Sequence, residues 1–353
     1  MLYFIRLDSL RFIAFLLVFW AHNFAPCFEV WKETSWHIFL TPFFDTGTNG
    51  VHIFFVISGF LITFLLIKEH KVSGRINIRN FYLRRVLRIW PLYYLIMVIG
   101  IFVLPNITSI FEFCGSYWMN LSFLNNLNAY ESRNCFSTNI VIAWSVAIEE
   151  QFYLFWPIVF FILKKKKHLI IFCILVLITS IIYTGVMYDY FSTVGNLVYL
   201  MVGCLGAIFY SKYQVKFDIT FLKSKLWLWL MIGFLCITML LINSLVLKAI
   251  ITPLFYLYFV LYAIINNSGK ITLFSKLGRY TYGMYFYHPI ISVFVRILFD
   301  KLGISYLDNG INYAMSSIIA LGSTIVVSIF SYTYFEGYFL NLKSKLSIVK
   351  TRI

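Results

Sequence analysis

Six side chains that carry or take up charge stand inside long apolar stretches of this sequence: Arg11, His22, Glu149, Glu150, His288 and Arg296, with His52 near the end of another stretch. A charged group in a membrane-spanning helix costs on the order of 3 kcal/mol, so each asks for a function or a partner. Arg11 and His22 are eleven positions apart. That is three helical turns plus roughly 20°, so they share one face, about 16 Å apart along the axis. The bland alternatives are that Arg11 snorkels to the inner headgroups and that His22 is a hydrogen-bonded core histidine. A different stretch opens Trp144-Ser145-Val146-Ala147-Ile148-Glu149-Glu150-Gln151. If it enters from the outside, its carboxylates lie within two turns of the outer surface, at much the depth of His22. A histidine beside a carboxylate is the usual construction of a general base, because the carboxylate fixes the tautomer and supports the imidazolium. Adjacent glutamates point about 100° apart. One of them is therefore expected to face His22, and the other to pair with Arg11, Arg296 or His288 or to serve as a structural counter-ion.

Two further groups are chemically suggestive. Ser58 and Gly59, in the segment Gly50–Leu61, suit a close approach of two helices. Arg85 and Arg88, three apart, share a face of a short interfacial helix ahead of an apolar stretch, with Arg84 to one side. Such a cluster clamps phosphates through bidentate guanidinium bonds, or simply binds lipid headgroups.

The elements that hold these residues follow from composition. The chain of 353 residues is 61% hydrophobic and 20% aromatic but only 12% charged, about half the charge of a soluble domain. This excludes disorder, a secreted disulfide scaffold and an ordinary soluble enzyme. An all-α integral membrane protein remains, with about ten spans at roughly 7–26, 48–67, 89–105, 140–163, 168–187, 193–210, 226–243, 248–266, 280–299 and 311–335. The stretches are continuously apolar, so helices are preferred to a barrel. With the N-terminus inside, 23 basic residues fall in inner segments and four in outer ones, which predicts both termini on the cytoplasmic side. The net charge of +15 is then mainly a topology signal, and nucleic acid is not an expected partner. The first span runs through Arg11 and past His22 to an unconvincing cleavage site, so it reads as a helix and not a signal peptide.

Residues 1–336 are expected to form one membrane domain and 337–353 a short basic cytoplasmic tail, with no separate soluble domain and a longest loop, 106–139, of about 34 residues. Cys114 and Cys135 share that loop and could pair in an oxidising periplasm. The sequence offers no metal-type spacing of Cys and His, no Walker loop and no dinucleotide fingerprint, so no metal is expected. Oligomeric state is not legible.

Six segments together resemble acyltransferase family 3, the multi-span acyltransferases that include bacterial surface-polysaccharide O-acetyltransferases. They are Leu7-Asp8-Ser9-Leu10-Arg11 followed by His22, the segment Gly50–Leu61, Arg84-Arg85-x-x-Arg88-x-x-Pro91, Trp144-Ser145-x-x-x-Glu149-Glu150-x-x-Tyr153, Tyr282-Gly283-Met284-Tyr285-x-x-His288-Pro289, and Tyr334-Phe335-Glu336. The resemblance implies a ten-helix enzyme of the bacterial inner membrane. It would take an acyl group, acetyl by default, from cytoplasmic acetyl-CoA and deliver it to a hydroxyl of a glycan such as O-antigen or capsule on the outer side. In it His22 would be the catalytic base, oriented by Glu149 or Glu150, and Arg11, Arg84, Arg85 and Arg88 would contact the donor. His52, Ser58, Trp144, Ser145, Tyr153, Tyr285 and His288 would support the site or touch substrate. Two departures matter. His52 stands where the family commonly has an aspartate. The chain also ends about 17 residues after the tenth span, where the family often continues into a hydrolase-like domain, so any second catalytic step is expected from elsewhere or not needed.

The competing expectations are a transporter or flippase of a lipid-linked sugar, for which intramembrane charge is equally natural, and a sensor built on the 106–139 loop. A transporter predicts two related halves with interrupted helices, and no such repeat is visible. Within the enzyme class the acceptor is open, with peptidoglycan and small exported molecules as alternatives. Trp31, Trp36, Tyr117, Trp118 and Tyr130 would stack on sugar rings or belong to an interfacial aromatic belt.

Overall fold

The computed structural model describes residues 4–24, 47–107, 116–128, 138–163, 165–187, 189–213, 220–267, 269–304 and 310–346. Among them ten helices have 17 residues or more. They are α1 (Ile5–Asn23), α2 (Gly47–Ser73), α3 (Ile78–Val98), α4 (Trp144–Ile162), α5 (Lys166–Met187), α6 (Thr193–Tyr213), α7 (Lys225–Leu241), α8 (Leu245–Ile265), α9 (Thr281–Lys301) and α10 (Gly310–Ser331), with a shorter α11 (Gly337–Lys345) after them. Eight helical segments are long and apolar enough to cross a membrane. The two others fall short for visible reasons: α1 carries Arg6, Asp8 and Arg11, and α7 has 17 residues. The protein is an all-α, multi-pass integral membrane protein.

Two boundaries differ from the sequence expectation. The third span does not follow a separate interfacial helix: α3 begins at Ile78, capped by the Asn77 side chain, which accepts from the Asn80 amide. Arg84, Arg85 and Arg88 therefore lie within the spanning helix itself. Hydropathy marks where charge begins, whereas arginine is a good helix former and does not end a helix. A π-turn, Ile99–Val103, and one last α-turn, Leu104–Ile107, extend this helix. At the other end, a π-turn at Tyr332–Glu336 leads from α10 directly into α11, so the start of the expected tail is helical.

The chain forms two compact units. One consists of Ile5–Val51 and Gly269–Gly337: α1, the first residues of α2, the short helix Leu273–Leu277, α9 and α10. The other holds His52–Ser268 with both chain ends, and so contains the rest of α2, α3 to α8 and α11.

Each unit is assembled through small residues that let backbones meet. In the larger one, Gly59 of α2 lies against the Leu200 carbonyl of α6, and Gly203 of α6 lies against the Val56 carbonyl of α2. A Cβ at either position would overlap a backbone oxygen, so this reciprocal pair fixes the crossing. In the smaller one, Gly278 lies against the Asp8 carbonyl of α1. This brings the entrance of α9 beside α1, although the two are more than 250 residues apart in sequence.

Candidate active site

In the smaller unit His22 is in the last turn of α1 and is exposed, whereas His288, in the second turn of α9, is fully buried. The His22 Nδ1 and His288 Nε2 atoms are 2.9 Å apart. The rings are nearly parallel, 10° between planes and 5.2 Å between centroids. His288 is boxed by Phe15 at 5.8 Å, Phe19 at 6.0 Å and Tyr285 at 6.0 Å. Its Nδ1 lies 3.2 Å from the Met284 carbonyl, and Ser292 Oγ donates to the His288 carbonyl at 2.6 Å. Arg11, on the same helix as His22, donates to Asp8 Oδ1 at 2.7 Å. Arg296 donates to the Tyr313 hydroxyl at 2.8 Å.

In the larger unit the two glutamates of α4 point to different partners, as their spacing requires. Glu149 Oε1 accepts from Ser58 Oγ at 2.7 Å and Oε2 accepts from the Tyr153 hydroxyl at 3.0 Å. Glu150 Oε2 accepts from the Trp90 indole at 3.0 Å, and its buried Oε1 has no hydrogen-bond partner among the described residues. The Arg85 guanidinium stacks over Tyr153 at 5.6 Å and Phe81 at 5.7 Å, and its Nε is buried without a hydrogen bond. Arg84 is committed elsewhere: it pairs with Glu69 at 2.8 Å and donates to the Leu346 carbonyl at 3.1 Å. Arg88 is half-buried one turn further along α3.

The remaining sequence candidates make specific contacts of their own. His52 stacks on Tyr199, 3.7 Å between centroids at 11°, and the nearby Asn196 amide donates to the Tyr190 carbonyl at 2.8 Å. Trp144 is buried between Tyr190 at 4.8 Å and Phe191 at 5.1 Å, and Ser145 Oγ donates to the Ile142 carbonyl at 3.3 Å. Tyr117 and Trp118 are exposed. Cys114, Cys135, Trp31, Trp36 and Tyr130 lie outside the described residues.

The residue chosen from sequence as the base is thus held, within its own unit, by a second imidazole. That partner was a sequence candidate, but nothing local ties position 22 to position 288. Asp8, by contrast, is three residues before Arg11, an ion-pair spacing that the sequence expectation, which offered Arg11 to a glutamate, did not use. Trp90 and Tyr199 carried no signal of their roles.

A family model described as "Acyltransferase domain" (acyltransferase 3) matches residues 4–333. The chain belongs to the acyltransferase 3 family. Among curated relatives, the O-acetyltransferase OatA of Staphylococcus aureus (strain NCTC 8325 / PS 47) is 33% identical over 202 residues, covering 49% of this chain and 32% of that protein. A Bacillus subtilis (strain 168) protein named "Putative peptidoglycan O-acetyltransferase YrhL" is 28% identical over 187 residues, covering 46% of this chain and 29% of the relative. The alignments thus span about a third of the length of these relatives. No solved structure matches the chain significantly. An exposed imidazole in contact with a buried one is an arrangement able to take a proton from a hydroxyl.

Proposed function

We propose that the protein is a transmembrane O-acyltransferase of the bacterial inner membrane. It would move an acetyl group from cytoplasmic acetyl-CoA to a hydroxyl of a cell-surface polysaccharide, O-antigen or capsule, on the outer side. Family membership supports acyl transfer, and the 23-to-4 distribution of basic residues supports termini and donor on the inner side. The observation that carries the chemistry is His22, an exposed imidazole at the end of an apolar helix whose Nδ1 is already engaged by His288.

In this reaction His22 takes the proton from the acceptor hydroxyl as the hydroxyl oxygen attacks the thioester carbonyl. The carbon–sulfur bond then breaks, and the imidazolium returns the proton to the departing thiolate. The products are the sugar ester and free CoA, and no group beyond donor and acceptor is needed. Dipoles of the closed helical site would stabilise the oxyanion. Glu149 and Glu150 are retained as catalytic carboxylates. Arg85, with its unfilled Nε, and Arg88 are assigned the phosphates of the donor. Arg11 and Arg84 would first have to release a carboxylate. A pantetheine arm in extended form covers the roughly 16 Å between the levels of Arg11 and His22 on α1.

Peptidoglycan is the second acceptor, suggested by the name carried by the Bacillus subtilis relative. Membranes holding wild-type protein and supplied with labelled acetyl-CoA are expected to place alkali-labile label in a surface glycan. Digestion of the labelled material with a muramidase separates peptidoglycan from other glycans. Label transfer by membranes holding His22→Ala at the wild-type rate would overturn the assignment of the base.

A further inference from the structure

We infer that His288 is the positioning residue of this site, fixing His22 in the one tautomer that leaves Nε2 free to act as the base. The inference rests on the acyltransferase reading for its kinetic consequence, but not for the tautomer itself.

The argument is a chain of donors and acceptors. A neutral imidazole has one N–H and one lone pair, and a carbonyl oxygen only accepts. His288 Nδ1 lies 3.2 Å from the Met284 carbonyl, so Nδ1 carries the hydrogen. The lone pair of His288 is then on Nε2, which faces His22 Nδ1 at 2.9 Å. His22 must donate across that contact, so its hydrogen is on Nδ1 and its lone pair on Nε2. The ring that would accept a proton from a hydroxyl is thereby left with one available nitrogen, Nε2. Without an acceptor at Nδ1 the ring would be free to protonate at Nε2, which would remove the base.

The anchor is firm because the His288 ring leans back toward the start of its helix, as helical side chains do, and holds its Nδ1–H on the Met284 carbonyl one turn earlier. The box of Phe15, Phe19 and Tyr285 resists a ring flip that would exchange the two nitrogens. His288 is completely buried whereas His22 is exposed, so only His22 can meet a substrate. During turnover His22 Nε2 gains the hydroxyl proton and later gives it to the thiolate. His288 keeps its own proton throughout and accepts the His22 Nδ1–H bond in both states.

The direct test is nitrogen-15 solid-state NMR of histidine-labelled protein in bilayers at mildly alkaline pH, with the His22 signals assigned by difference from His22→Asn. The expected spectrum shows His22 Nδ1 protonated and Nε2 bare, and His288→Phe is expected to lose that preference. A His22 protonated at Nε2 in the wild type would overturn the proposal. The kinetic arm measures CoA release from acetyl-CoA by wild type and variants in native-membrane nanodiscs containing cell-envelope glycan. His288→Phe, which keeps the ring volume but not the acceptor, is expected to lower kcat roughly 100-fold with KM for acetyl-CoA unchanged. His288→Gln, whose amide oxygen can accept from His22, is expected to recover at least about tenfold of that loss. Unchanged kcat in His288→Phe, or equal loss in both variants, would overturn the positioning role. Absence of CoA release by the wild type would instead remove the acyltransferase reading, leaving the tautomer to be decided by the spectra.

Discussion

Charged side chains in the spans divide into those already balanced and those with capacity to spare, and the division predicts different phenotypes. Arg84 and Glu69 form an ion pair whose side chains are 11% and 4% exposed. Removing one member of a buried pair strands the other and costs about 3–5 kcal/mol. Arg84→Ala is therefore expected to lower thermal stability or abundance in the membrane strongly. Arg88→Ala is expected to leave stability within about 0.5 kcal/mol and to weaken acetyl-CoA binding, measured by titration, with the weakening greatest at low salt. Equal stability losses in the two variants would contradict this division. Around Glu149, Ser58→Ala removes the donor to Oε1 and is expected to cost about 1–3 kcal/mol in stability or in transition-state binding, read from melting and kcat together. At this scale the sequence was partly legible. Intramembrane charges announce themselves by rarity, and the 100° between Glu149 and Glu150 is matched by different hydrogen-bond partners. Of the partners, Ser58 and Trp90 come from helices distant in sequence and leave no periodic trace, whereas Tyr153 is four residues along α4 from Glu149.

Among elements, the α2–α6 crossing is the most demanding feature of the larger unit. Gly59 and Gly203 each abut a backbone carbonyl of the other helix, and backbone cannot yield as a flexible side chain does. Gly203→Leu is expected to force the helices apart, costing at least about 1–3 kcal/mol and lowering the yield of folded protein in detergent. Gly233→Leu is the control, since no atom lies within 4 Å of the Cβ position there, and it should be tolerated. Melting temperatures of the two variants check the contrast. Hydropathy located the spans but misplaced the start of α3 by eleven residues, because apolar runs report where lipid is, not where a helix begins. The helical continuation after residue 336 was missed for the same reason: α11 is polar enough to resemble a tail, yet Leu340 and Lys343 are buried.

For the whole molecule, the two units combine distant stretches of chain, since α1 packs with α9 and α10. Neither composition nor local period encodes that closure, which is why a histidine partner for His22 could not be derived from the sequence although both residues were singled out. Orientation, in contrast, is a proposal that rests on the distribution of basic residues. Reporter fusions at either end are expected to signal a cytoplasmic location, and a periplasmic signal from the C-terminus would break the ten-span topology. In the proposed function, family membership and the imidazole pair together support one chemical event, removal of a hydroxyl proton by His22 during acyl transfer. The most direct measurement follows labelled acetyl-CoA into ester-linked acetate on surface glycan, comparing wild type with a His22→Ala protein shown to be inserted and to melt as the wild type does. Transfer falling by roughly 100-fold or more with donor binding intact is the predicted result, and wild-type transfer by the variant would contradict it.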